Sequence, residues 1–315
     1  MKRNENARRL DRIAGRYFFK LSMNIVKWLP NCMLYPFSRF LGYLGFWAVA
    51  KYRKITLDNL RQSFKDKSPS EIRKIAIESY CEITWGAAET IKLAFNKDIQ
   101  SKLKKLVKVE GAQYLDDELK KGKGLICISA HFGNFTIMTT RLTLEGYPFN
   151  LVMRFADDEA VAKMWKDAMS NVGINAISAR PRRKAVVESL KWLRSGKPLC
   201  LHSDQNKTNG VYVDFFHRPA GTVEGPARLH LRTGAPMVCG FIVREDLYHH
   251  KIVITPPLDI KLTGDDKKDI FNITQAYTKT IEKFVRKHPQ QWWWVHDRWK
   301  GSRRLNKLNS QESLS

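Results

Sequence analysis

The chain has 315 residues, 43% of them hydrophobic, and a formal net charge of +24. That length and apolar content predict one large α/β domain behind an N-terminal appendage, and no fixed-period repeat or long low-complexity tract interrupts it. Five cysteines without a CxxC pair exclude a disulfide scaffold and a cysteine zinc site, while the cationic excess implies an anionic partner: nucleic acid, an acidic membrane surface or an acidic carrier protein.

In chain order, the first feature is an apolar stretch from Trp28 to Ala50, broken only by Arg39 and carrying Pro30 and Pro36. Arg39 divides it into two uncharged runs of 11 residues, each shorter than the ~20 residues a spanning helix needs. Cations flank it on both sides (Arg8, Arg9, Arg12, Arg16, Lys20 and Lys27 before; Lys51, Arg53 and Lys54 after), and aromatics are dense within it. Residues 1–55 are therefore expected to form a membrane-associating helix or hairpin lying in the cytoplasmic leaflet, in preference to a single span or a buried core helix.

Residues 56–302 carry the expected domain and 303–315 a polar tail. Ser70 to Phe95 has helical spacing behind a Ser68-Pro-Ser-Glu71 start. Gly111–Lys121, Asp158–Val172, Arg183–Arg194 and Asp265–Lys287 also read as helices. Leu125–Ser129, Asn150–Phe155, Ala176–Ala179, Leu199–Ser203, Pro236–Val243 and Ile252–Pro256 read as strands, the last fed by a turn at Tyr248-His-His250 and antiparallel. The alternation predicts an α/β fold with a mostly parallel central sheet covered by helices on both faces.

Sites on such sheets form where strands end and helices begin. Ser129-Ala-His-Phe-Gly-Asn-Phe-Thr136 is such a junction, and it places His131 in the turn. Two readings stay open on position alone: a histidine poised as a general base, or one capping the strand end beside an Asn134 helix cap. No P-loop, dinucleotide fingerprint or HExxH motif is present, and His249-His250 reads as a turn, so neither cofactor nor metal is expected. Nothing pairs aromatics with cations as in an RNA-binding motif, and no helix-turn-helix is visible, so nucleic acid is not the expected partner.

The His131 segment resembles the His-x4-acid signature of the bacterial lipid A late (lauroyl/myristoyl) acyltransferases, in the lysophospholipid acyltransferase superfamily. Further ordered blocks are similar to that family: Arg53-Lys-Ile-Thr-Leu-Asp-Asn-Leu60 with Gln62-Ser-Phe64; Asp204-Gln205 with Gly210-Val-Tyr-Val-Asp-Phe-Phe216 and Arg218-Pro-Ala220; Gly225-Pro-Ala-Arg-Leu229; and Trp294-Val-His-Asp-Arg-Trp-Lys300. The resemblance implies an O-acyltransferase of the inner membrane, its catalytic domain on the cytoplasmic side. It would move a fatty acyl chain from an acyl carrier protein to a hydroxyl of a lipid A precursor or related anionic glycolipid, without a cofactor.

On this reading His131 is the base, the backbone amides of Gly133 and Asn134 hold the oxyanion, and Arg154, Gln205, Arg218, Thr222 and Arg228 bind substrate, Arg218 and Arg228 through phosphates or, alternatively, as structural salt bridges. Trp292, His296 and Trp299 are expected on one helical face. The chain departs from the pattern in four places, one of them Lys65, where the family usually has proline. Thr136 stands where the family has its acid; the helix from Met164 to Met169 lacks the family's arginine; His217 replaces a glycine. Asp204, ending a predicted strand at the same sheet edge, is the best substitute carboxylate, with an Asx turn as its alternative role. The missing acid leaves a second reading open: a catalytically impaired member that binds anionic lipid or acyl carrier without turnover.

Overall fold

The computed structural model describes residue 17 and residues 21–305. The expected basic flank at Arg8, Arg9, Arg12, Arg16 and Lys20 lies outside them, as does the tail from 306 onward.

Nine strands are found among the described residues: β1 (Val107–Glu110), β2 (Leu125–Ser129), β3 (Asn150–Met153), β4 (Asn175–Ser178), β5 (Pro198–His202), β6 (Val211–Asp214), β7 (Pro219–Thr222), β8 (Met237–Arg244) and β9 (His250–Ile254). Seven make one sheet in the order β1-β9-β8-β2-β5-β3-β4. β8, β2, β5, β3 and β4 run parallel, and β9 turns back antiparallel onto β8. Side chains alternate across β2. Ile126 and Ile128 pack with helices Arg182–Arg194, Gly225–Thr233 and Asp266–Lys287; Leu125 and Cys127 pack with Lys97–Leu106, Ala112–Leu119, Phe135–Leu144 and Glu159–Asn171. Both faces are thus covered, which is why the central strands are apolar throughout. Cys127, Cys200 and Cys239 are buried free thiols within these strands.

Strand β1 and the small antiparallel pair β6–β7 were not expected from the sequence. All three strands are four residues long, and their pairing with neighbours defines them.

The longest helix, Pro69–Phe95, starts on a capping box: the Ser68 hydroxyl accepts from the Glu71 N–H while the Glu71 carboxylate accepts from Ser68 N–H. Helix Asn31–Ala48 lies against it. Leu34, Ser38, Gly42 and Phe46 are buried at i, i+4 spacing, and Gly42 packs so closely that a Cβ there would meet the Cys81 Cα at 2.6 Å. Arg39 makes a two-pronged pair with Glu78, 2.8 Å on each side. The opposite face leaves Met33, Phe40, Leu44 and Trp47 exposed. No helix among the described residues is long and apolar enough to cross a membrane. Helix Ala50–Ser63 is tied into the domain by Asn59, whose side-chain amide donates to the carbonyls of Trp294 (3.1 Å) and His296 (2.9 Å).

One local expectation is overturned. Residues 292–299 are not helical: a single 3-10 turn, Pro289–Gln291, gives way to an irregular segment. Trp292, Trp294 and Trp299 are nevertheless fully buried, because large aromatics find the core from a loop as readily as from a helix.

Candidate active site

Strands β2 and β5 are neighbours in parallel register, Ser129 opposite His202. Counting two residues beyond each strand end sets His131 beside Asp204. The ladder continues one step through the Ser203 N–H bonded to the Ser129 carbonyl at 3.0 Å. His131 Nδ1 then lies 2.8 Å from Asp204 Oδ1. The other carboxylate oxygen accepts from the His131 backbone N–H at 2.9 Å and from the Trp292 indole at 2.7 Å.

Burial works against the Asp204 charge, but the electrostatic interaction with His131 and these three donors outweigh it and hold the carboxyl well below its usual range. A carboxylate in that state only accepts, so His131 carries its proton on Nδ1 and keeps a lone pair on Nε2. The Gln205 side-chain amide sits 3.2 Å from that nitrogen and donates to it.

The turn itself is shaped by Gly133, whose φ is +55°; a Cβ there would lie 2.2 Å from the Ile242 carbonyl oxygen, so only glycine fits. Asn134 caps helix Phe135–Leu144 through the Ile137 N–H (3.2 Å). Its amide group donates to the Gly86 carbonyl and to Glu89. Arg244 grips Glu89 and Glu82 on the same long helix, locking the turn against it. Burial raises the Glu82 carboxyl, and Arg244 only partly counters it.

Half of the expected oxyanion pair needs correction. The Gly133 N–H is already given to the Gln291 carbonyl at 2.8 Å. The amides of Asn134, at the N-cap, and of Phe135 and Thr136, the first helical positions, have no acceptor within the helix. The Thr136 hydroxyl does not take the place of the missing acid beside His131, whose Nδ1 partner is Asp204.

His131 opens onto a cavity of about 630 Å³ lined by apolar side chains from Leu151 to Phe155, by Trp165, Met169 and Ile174, and by the helix Pro69–Phe95. Gly133, Asn134, Thr136, Arg154 and Gln205 all border it. His202 lies in its wall with a ring centroid 5.2 Å from that of His131. Burial, and then the electrostatic interaction with His131, drive His202 down to about 3, so it stays neutral. No sequence signal had singled out His202, Trp293 or the Trp292 indole; the run Trp292-Trp-Trp294 was the only hint.

Three of the expected substrate contacts are not brought to the cavity. Thr222 is fully buried and accepts from the buried Arg298 guanidinium. Arg228 pairs with Glu224 one turn back. Arg218 lies over the Trp299 ring, 4.1 Å from its centroid. Of the two roles expected for the arginines, the structural salt bridge describes Arg228, on helix Gly225–Thr233, whereas the contact of Arg218 is with an aromatic ring and not with a carboxylate. The turn before Arg218 retains a left-handed geometry, Phe216 at φ +55° and His217 at +56°, in residues that pay a conformational penalty for it.

Among the described residues no cluster of side chains is arranged to hold a metal ion. A neutral imidazole oriented by a buried carboxylate, open helix-start amides and an apolar cavity together suit acyl transfer to a hydroxyl. Comparison with known proteins agrees. Over 196 residues the chain is 26% identical to the phosphatidylinositol mannoside acyltransferase of Mycobacterium tuberculosis (strain ATCC 25618 / H37Rv), covering 61% of this chain and 59% of that protein, about three fifths of the relative's length. It is 25% identical to the lipid A biosynthesis palmitoleoyltransferase of Escherichia coli (strain K12) over 285 residues, 87% of this chain and 89% of that protein. Against the lipid A biosynthesis lauroyltransferase of the same strain it is 24% identical over 284 residues, 88% of each. Residues 1–301 match the family described as bacterial lipid A biosynthesis acyltransferase, and the chain belongs to that family.

Proposed function

We propose that the protein transfers a fatty acyl group from the thioester of an acyl carrier protein to a hydroxyl of an anionic glycolipid of the lipid A type, at the cytoplasmic face of the inner membrane. The observation that carries this reading is the His131–Asp204 pair, 2.8 Å apart, with the free imidazole nitrogen facing an apolar cavity. The acceptor hydroxyl displaces Gln205 from His131 Nε2 and gives up its proton there as its oxygen attacks the thioester carbonyl. Asp204 stabilises the imidazolium that forms. The amides at Phe135 and Thr136 stabilise the oxyanion at the positive end of their helix. Collapse breaks the C–S bond, the thiolate takes the proton from His131, and the new ester leaves, drawing its chain out of the cavity.

Arg154, at the cavity border, suits a phosphate of the acceptor. Membrane attachment is supported by the exposed Phe40, Leu44 and Trp47 on helix Asn31–Ala48, with Arg73 5.0 Å from the Trp47 ring, an apolar face beside cations that suits an acidic bilayer. The +24 net charge suits the acidic carrier as well.

The test is acyl transfer in detergent from acyl carrier thioesters to a lipid A precursor, by wild type, His131→Ala and Thr136→Glu. Turnover abolished by His131→Ala is the expected result. A marked gain with Thr136→Glu would show instead that Asp204 does not serve as the orienting acid. Absence of turnover in wild type across the donor panel, with lipid or carrier binding intact, favours the non-catalytic reading.

A further inference from the structure

Behind the cavity beside His131 the packing leaves a further crevice of only about 10 Å³. One wall of the cavity is the helix Pro69–Phe95, whose residues Ile83, Gly86, Ala87 and Thr90 face it. The same helix continues into the narrow apolar crevice, bounded there by Thr90, Ile91, Ala94 and Phe95. The opposite wall of both spaces is the helix Glu159–Asn171. There Met164 and Ala168, one turn apart, face the crevice, while Met169 faces the cavity. Among the described residues two border both spaces, Thr90 and Trp165. Thr90 is tied to Asn134 by its hydroxyl, which leaves the Trp165 indole as the large group between the spaces.

Resting on the proposed acyl transfer, we infer that Trp165 is the end stop of the acyl slot and sets the chain length the enzyme accepts. From Thr90 to Ala94 the helix advances about 6 Å at 1.5 Å per residue, the reach of roughly four carbons at about 1.5 Å per bond. A chain longer than the slot leaves its last methylenes unburied. Each methylene that is buried is worth about fourfold in affinity, the equivalent of about 0.8 kcal/mol. Behind the indole the crevice is lined by the small side chains of Ala94 and Ala168 and by the flexible Met23 and Met164, which can yield to a longer chain once the indole is removed.

The experiment measures kcat/KM for a ladder of saturated acyl carrier thioesters differing by two carbons, with wild type, Trp165→Ala, Trp165→Phe and the double variant Trp165→Ala/Ala168→Leu. Trp165→Ala is expected to move the optimum two to four carbons longer and to raise kcat/KM for the longer donor by about tenfold. Trp165→Phe moves it less, and the double variant, which refills the crevice from behind, moves it back. An unchanged optimum in Trp165→Ala, with transfer retained, overturns the assignment. Binding of free fatty acids of graded length to the same folded variants reads the slot without turnover. If no variant transfers acyl groups, the proposed reaction fails, yet the same shift in preferred length still supports the end stop and its absence overturns it.

Discussion

Two regions of this molecule carry the polar residues that its sequence pattern makes conspicuous, and they behave in opposite ways. At the β2/β5 edge, His131 and Asp204 come together at 2.8 Å, with one nitrogen of the pair left facing a cavity. On the β6–β7 hairpin and the helix after it, Thr222 and Arg228 are equally polar, but each spends its hydrogen-bonding or charge capacity on the protein itself. Arg218 lies over the Trp299 ring with one guanidinium nitrogen buried and without a hydrogen-bond partner among the described residues. A polar group is available for chemistry when the bond it must give up is to an exposed, displaceable neighbour. His131 meets that condition through the exposed Gln205; Thr222, held by the buried Arg298, does not.

The sharpest way to break this comparison is to neutralise Asp204. Asp204→Asn is expected to lower kcat by about a thousandfold or more, by analogy with the loss of an orienting carboxylate in the unrelated serine proteases, in steady-state assays at saturating donor. A loss below tenfold would place Asp204 with the structural group instead.

Acid should expose a second difference. His202 in the site wall is driven to about 3 and His250 to about 4, both from 6.5, with burial the leading cause in each. The unfolded chain takes up these protons near pH 6.5 while the native state does not until pH 3–4, so stability falls as pH drops from 6.5 towards 4. The slope approaches about 1.4 kcal/mol per pH unit for each histidine. Asp204, depressed in the native state, contributes stability above the unfolded carboxyl value near 4 and loses it only below that, so its window is separate. Melting curves at pH 7, 6 and 5 should show the decline, and His202→Phe should make it shallower.

In the β6–β7 region the prediction is stability without catalysis. Thr222→Val deprives the buried Arg298 of one acceptor and should cost about 1–3 kcal/mol, measured by denaturant unfolding, with kcat/KM changed less than twofold. The smallest contrast pairs two arginines. Arg154→Ala should raise the KM for an anionic acceptor several-fold with kcat little altered. Arg228→Ala, losing an exposed pair with Glu224, should change stability by less than ~1 kcal/mol and leave KM unaltered. Equal effects of the two would erase the distinction.

Much of this architecture was legible residue by residue. The apolar run Leu125–Ser129 coincides with β2, and the Ser68 capping box marks where the long helix begins. The turn at His131 stood out because a strand signal runs straight into a helix signal. The strands β1, β6 and β7 escaped: β1 follows directly on a helix, and β6 and β7 pair only with each other, outside the main sheet. The burial of Trp292 without a helix escaped as well: spacing alone does not distinguish a loop that dives into the core from a helical face.

What the sequence determined by itself was the longer central elements and the identity of the reactive turn, because periodicity, caps and glycine requirements are local. It offered Asp204 to His131 with an Asx turn as the alternative; tertiary structure decided between them, because Asp204 is 73 residues away and reaches the imidazole only through the register of two adjacent strands. Tertiary structure decided likewise that the Gly133 amide is taken by Gln291 while the amides at the start of the next helix stay open. Hydrogen-bond capacity is consumed by neighbours in space, and those neighbours are not written in the local chain.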